Sequence, residues 1–221
     1  MTFIPNDSLT EQIAQYLGHQ IITGHLKAGD RIQELRIAGE LNVSRGSVRE
    51  ALLILERRHL IQILPRRGAV VAEMTEYELK SLYELWFLLL KQVAFNAATM
   101  WADEDLEQFL GLIKEMGEFA EKNDLEKFYD ALSKFLSLIY PFANNPFMVQ
   151  VLEDLLPSGK RAAYLVFRRG KSELTRLYES FMQIMDYMYK RDAQGAAAVV
   201  EHIGHQQYEL ALKALRGRDA Q

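Results

Sequence analysis

The stretch from Met1 to Ala72 is punctuated so closely that few folds can accommodate it. Ser8-Leu9-Thr10-Glu11 sets a hydroxyl three residues ahead of a carboxylate, the pattern of a capping box. Ile13, Leu17, Ile21 and Ile22 then recur at helical spacing, predicting a first helix to about Thr23. A turn-rich link, Gly24 to Asp30, leads to two short helices. One carries Ile37 and Leu41; the other, after a break at Asn42, carries Val48, Leu52 and Leu55, with Ser44 as its N-cap. Two β-prone runs follow, Leu60 to Leu64 and Ala69 to Val71, around the turn Pro65-Arg66-Arg67-Gly68. Helix, helix, helix, hairpin is the order of a winged helix-turn-helix.

Charge divides the chain at the same place. Residues 1–72 hold nine Lys/Arg against seven Asp/Glu, whereas the whole 221-residue chain carries −4, so a basic surface is local to the N-terminal part. A wholly basic coating protein is excluded. The chain has no cysteine, which removes disulfide frameworks, thiolate metal sites and cysteine nucleophiles together. No uncharged apolar run of about 18 residues exists, and Met1 to Asp7 lacks the pattern of a secretory leader. A soluble, cytoplasmic protein is expected, divided into residues 1–74 and 75–221.

The third short helix has the chemistry needed to read a duplex. A helix N-terminus entering the major groove offers unpaired backbone N–H groups to phosphate, and arginine can bond guanine O6 and N7 with two parallel hydrogen bonds. Ser44-Arg45-Gly46-Ser47-Val48-Arg49 puts Arg45 and Arg49 four apart on one face, with Val48, Leu52 and Leu55 opposite. Arg45 and Arg49 are the candidates for base readout, and Ser44 and Ser47 for phosphate. Arg36 is placed to reach the flanking backbone. Arg66, Arg67 and Gly68 make a cationic wing tip suited to a minor groove or to phosphate. Each pattern alone is usually a solvated charged face; their combination on these elements is far more specific.

The run Gly29-Asp30-Arg31-Ile32, Leu41 to Leu52, Leu55, Leu60-Ile61 and Gly68 to Val71 resembles the DNA-binding domain of GntR-family bacterial transcription regulators. The resemblance covers most of the N-terminal part. It implies that the positions of Arg36, Ser44, Arg45, Ser47 and Arg49 contact operator DNA together with the wing tip; Gly46, expected at the same interface, stands where proline or threonine is more frequent.

From Thr75 the pattern is almost continuous helix, predicting an all-α bundle of six or seven helices. The expected helices are one beginning around Leu79, then Asp103–Glu121, Asp124–Phe142, a short Phe147–Leu156 ended by Pro157-Ser158-Gly159, Arg161–Arg168, Glu173–Lys190 and Ala193–Leu215. The arrangement resembles the ligand-binding (FCD) domain of the FadR-type branch of the same family. That resemblance implies a divalent metal held by an aspartate and three histidines, with an arginine for carboxylate effectors. Here those positions carry Leu132, Leu136, Phe181 and Trp86, a nearby acidic position is Leu90, and His202 lies one residue out of register. Leucine and phenylalanine offer no donor atom, so neither metal nor cofactor is expected. His202 and His205 read as polar or interface histidines.

The replacements are apolar or aromatic throughout, which leaves two outcomes open. The candidate effector-binding residues are Trp86, Leu90, Leu132, Leu136, Phe181 and His202, the first five being either a filled core or the walls of an apolar effector cavity. Tyr83, Tyr129, Tyr164 and Arg161 are the polar groups able to orient a ligand. The expected protein is a homodimeric, DNA-binding transcription regulator, most simply a repressor, whose twofold symmetry matches a pseudopalindromic operator. With a filled core it would instead be a constitutive regulator or an adaptor. An enzyme is disfavoured: Gly-rich phosphate loops, nucleophile elbows and His-Glu-x-x-His are all missing.

Overall fold

The structure is a computed structural model that describes residues 8–167 and 171–219. Met1 to Asp7, and Arg168 at the expected end of one helix, lie outside the described residues. Two compact units emerge, Met1–Thr75 and Glu76–Gln221.

The first unit is three helices and a small sheet. Helix α1 (Leu9–Ile22) starts at Ser8, whose hydroxyl accepts the Glu11 N–H at 3.2 Å. Helix α2 (Glu34–Leu41) ends at Asn42, held in the left-handed region at φ 52°, and Val43 N–H bonds back to the Ala38 carbonyl. Helix α3 (Arg45–Arg57) begins immediately after Ser44. Strands β2 (Ile61–Leu64) and β3 (Gly68–Val71) form the expected hairpin, pairing antiparallel with Ile63 opposite Ala69. A third strand, β1 (Arg31–Ile32), was not anticipated; it pairs with the far edge of β3, giving the order β1-β3-β2. Two residues are too few to show an alternation, so only the non-local partner reveals it.

Ile13, Leu17 and Ile21 from α1, Ile37 from α2, and Val48, Leu52 and Leu55 from α3 meet Ile32, Ile61, Ala69 and Val71 in one buried core. Two polar ties fix the frame around it. Arg58, just past α3, pairs with Glu11 of α1 at 2.8 Å, and Glu56 of α3 accepts the Ile63 N–H of the wing at 2.8 Å.

Among the described residues, the second unit consists of helices and short links, with no strand. Its helices are α4 (Glu76–Met100), α5 (Asp103–Glu121), α6 (Leu125–Ile139), α7 (Pro146–Phe167), α8 (Lys171–Tyr189) and α9 (Ala193–Asp219), with a 3-10 turn at Tyr140–Ala143. Helix α4 runs against α9 and is also packed by α6, α7 and α8, so its side chains are the centre of the bundle.

The expected break at Pro157-Ser158-Gly159 does not occur; α7 runs through it as one helix. Proline removes one N–H and crowds the carbonyl four residues back, but Leu152, Leu155, Ala162, Ala163 and Val166 are buried on both sides of Pro157. Burial of that continuous apolar face outweighs the local penalty. Gly159 has a packing role as well, since a side chain there would overlap the six-membered ring of Trp86.

Candidate nucleic-acid interface and apolar cavity

The interface is built around the N-terminus of α3. The Ser44 hydroxyl accepts the Ser47 N–H at 3.0 Å, and the two hydroxyls are 2.9 Å apart. That cap satisfies one backbone donor and leaves the remaining N–H groups of the first turn facing outward, with a favourable dipole for phosphate. Val48, Ala51, Leu52 and Leu55 are buried beneath, so the opposite face, carrying Arg45 and Arg49, is turned to solvent. Their side chains are 57% and 64% exposed.

Both arginines share an acidic neighbour that sequence reasoning did not single out. Glu34, in the first turn of α2, accepts from Arg49 Nε at 3.3 Å and Nη2 at 2.9 Å, and lies 3.7 Å from Arg45 Nη2. The Arg49 hydrogen bonds, chiefly, hold the Glu34 carboxyl below the usual carboxylate range. A glutamate at a helix start reads as a macrodipole residue; its pairing with arginines of the following helix is tertiary information.

Arg36 is exposed on α2 and pairs with Glu40 at 3.3 Å, away from this cluster. Gly46 is exposed, with room for a side chain, the nearest atom to an added Cβ being Ser44 Oγ at 3.6 Å.

The wing turn is closed by the Arg67 N–H to the Leu64 carbonyl, with Pro65 second and Arg66 third at φ 63°. That is the arrangement of a type II turn, whose third position favours glycine. An arginine there carries backbone strain of about 1 kcal/mol. The strain places a guanidinium at the extreme tip. Gly68 follows at φ 76°, and Arg31 on β1 reaches to within about 4 Å of where its side chain would begin. Arg31 therefore joins Arg66 and Arg67 as a third exposed wing cation, visible only once β1 is seen to pair with β3. Arg66 and Arg67 have no acidic partner among the described residues.

In the second unit, Trp86, Leu90, Leu132, Leu136 and Phe181 converge on one cavity of about 90 Å³, walled also by Tyr83, Phe87, Tyr129, Phe135 and Ile203. These side chains do not close on one another completely, and a small apolar void remains between them. Among the described residues, no charged side chain lines it. Polar atoms at the wall come from Tyr83, Tyr129, Trp86 and Gln207. Burial pushes the Tyr83 and Tyr129 hydroxyls far above the ordinary phenol range. The Trp86 indole N–H and Tyr140 hydroxyl are buried near each other without a well-formed hydrogen bond. Tyr164 packs on Tyr129 with ring centroids 5.2 Å apart but stands behind the wall, and Arg161 is likewise not part of it.

His202 does not reach the cavity. It is exposed and lies with His205, Arg176, Glu173 and Ser180 along an outer groove, separated from the void by Leu177, Ile203 and Gln207. One residue of helical register is a rotation of about 100°, enough to carry the side chain from inside to outside. The metal that the bundle resemblance implies does not fit these residues: its donor positions are leucine and phenylalanine. Among the described residues no three His, Cys, Asp or Glu side chains converge to hold one.

Residues 9–71 match the family described as bacterial regulatory proteins, gntR family, and residues 81–206 match the FCD domain. The chain belongs to the GntR family. It is a transcriptional regulator with a DNA-binding helix-turn-helix unit and an FCD effector domain. Its relatives include the HTH-type transcriptional regulator McbR of Escherichia coli K12, 26% identical over 90% of both chains. Another is the gluconate operon transcriptional repressor of Bacillus subtilis 168, 32% identical over 79% of this chain and 70% of that one. In fold, the solved structure of E. coli McbR/YncC superposes with a TM-score of 0.82, covering 94% of this chain and 99% of that one at 23% identity. Among the described residues, no helix is long and apolar enough to cross a membrane.

Proposed function

We propose that this GntR-family protein is a cytoplasmic homodimeric repressor whose hold on a pseudopalindromic operator is altered by a small, uncharged apolar or aromatic effector. Arg45 and Arg49 read base edges, Ser44, Ser47 and Arg36 grip phosphate, and Arg66, Arg67 and Gly68 form the wing contact. Repression is supported by the relatives named as repressors. A twofold dimer presents two α3 helices to two half-sites.

The observation that carries the effector class is the uncharged wall of the cavity. A carboxylate inside it would be desolvated with no cation to pair with, a large penalty, whereas an apolar ring or short alkyl group fits. The void is smaller than the several hundred Å³ of drug-sized pockets, so a ligand of a few heavy atoms enters it as it stands. At about 24 cal/mol per Å³ the vacant space forgoes roughly 2 kcal/mol of packing, which a filling ligand recovers. Effector control requires that the ligand bind one arrangement of the dimer more tightly than the other.

The test is native mass spectrometry of purified protein with a duplex selected by that protein, titrated with benzene, indole and benzoate. The reading expects two chains per duplex, release by the neutral aromatics and no effect of benzoate. Benzoate acting as well as indole, or one chain per duplex, overturns it. If none of the three binds, the cavity is simply an imperfection of a filled core and the protein regulates constitutively.

A further inference from the structure

We infer that Glu34 is a specificity-determining positioning residue of the DNA interface, holding Arg49 so that one edge of its guanidinium is spent on the protein and the other is offered to a base. This rests on the reading of Arg49 as a base contact.

A guanidinium carries five N–H donors in a rigid fork. Glu34 occupies its side edge, through Nε at 3.3 Å and Nη2 at 2.9 Å. The end edge, Nη1 with the second N–H of Nη2, has no partner among the described residues, and the side chain is 64% exposed. That free edge is the pair of parallel donors that guanine O6 and N7 require. Without the carboxylate, Arg49 is a long side chain with several rotamers, and its nearest attraction on a duplex is any phosphate. Ordering it beforehand removes part of the entropy cost of the correct contact and leaves the phosphate contact no better than before.

The carboxylate also lowers the local positive charge. With Arg45 only 3.7 Å from the same oxygen, two cations share one anion at the end of the helix. Sequence-independent affinity grows with the number of phosphates neutralised, so a carboxylate at this spot restrains non-specific binding while sparing a contact made through hydrogen-bond geometry. A purely structural role predicts something else. Exposed pairs contribute little to stability, and a stabilising glutamate at a helix start would change melting temperature without changing base preference.

The experiment compares wild type, Glu34→Gln, Glu34→Asp and Arg49→Ala, each confirmed folded by circular dichroism. Each is measured on a duplex selected in vitro by the wild type and on a random duplex across a salt series. For Glu34→Gln, random-duplex binding tightens about threefold or more at low salt, its salt slope steepens by about one counterion, and the ratio of selected to random affinity falls about tenfold. Glu34→Asp keeps the charge but not the reach, so its salt slope returns to wild type while the ratio recovers only in part. If Glu34→Gln tightens both duplexes equally, the carboxylate only damps charge and the inference is overturned. If Glu34→Gln leaves ratio and slope unchanged while Arg49→Ala collapses the ratio, the inference fails alone. If Arg49→Ala also leaves the ratio intact, the underlying reading of Arg49 fails with it.

Discussion

Replacing Gly159 by alanine tests whether the cavity wall is set by the close approach of α7 to Trp86. A Cβ on Gly159 would overlap the six-membered ring, with even the third-nearest ring carbon only 2.7 Å away, against about 3.5–4.0 Å for a relaxed carbon contact. The ring must retreat by about 1 Å or more, and the adjoining void of about 90 Å³ is where it can go. Overpacking a core typically costs 1–3 kcal/mol. A buried indole held between α7 and its neighbours belongs in the upper half of that range, and alanine in place of glycine returns about 1 kcal/mol of helix propensity. The net is a loss of about 1–2 kcal/mol, a melting temperature lower by roughly 3–8 °C. Gly111, exposed on α5 with nothing within 4 Å of an added Cβ, is the matched control: Gly111→Ala gains up to about 1 kcal/mol. Calorimetry supplies the stabilities, and tryptophan emission supplies the geometry. The chain has two tryptophans, and Trp101 is anchored by its N–H to the Met188 carbonyl at 2.8 Å, so a shifted spectrum reports Trp86. A Gly159→Ala protein as stabilised as Gly111→Ala, with unchanged emission, would refute the packing argument.

Three other perturbations probe separate parts. Arg66→Gly relieves the left-handed strain at the wing tip, so its melting temperature is equal to or above that of the wild type while its duplex affinity drops and its salt slope flattens by about one counterion; a fall in both stability and slope would mean that the turn is built differently. Phe181→Ala enlarges the void and costs about 3–5 kcal/mol, and thermal-shift titration should show indole restoring part of the loss; no response to indole would show that the enlarged space is not continuous. The third concerns alkaline pH. Burial raises the phenols of Tyr83, Tyr129 and Tyr140 far above their usual range and that of Tyr164 to about 12. Because the unfolded chain ionises near pH 10, their contribution is complete below about pH 10 and is lost as pH rises through 12. Absorbance titration should therefore show these four of the ten tyrosines ionising late and together with unfolding, and ionisation of all ten near pH 10 in folded protein would contradict it.

What could be read in the sequence was local, and what could not was tertiary. Ser8 and Ser44 mark helix starts because capping depends on the next three residues, and Pro65 with Gly68 marks the wing because turn geometry depends on four. By contrast, β1 exists only through its pairing with β3. Pro157 stops a helix in isolation but not one whose apolar face is buried on both sides of it. The five apolar residues, placed by counting from motifs, do meet around one space. The volume left between them is a property of how side chains interlock, which no spacing encodes. His202 shows the limit of counting along a helix, where an error of one position separates interior from surface. Glu34 carries no signal of its role in the sequence, because an acidic helix start has an ordinary explanation and the arginines that give it another one arrive only on the following helix.

The central claim is that the exposed face of α3 reads a duplex, and the most direct measurement is equilibrium binding of Arg45→Ala, Arg49→Ala and Arg66→Ala to a selected duplex and a random one across a salt series. The α3 variants should each lose about 1–3 kcal/mol on the selected duplex with relaxed base preference, and Arg66→Ala should weaken both duplexes alike and flatten the salt slope. Full affinity and full base preference in an Arg45→Ala/Arg49→Ala double variant would contradict the account.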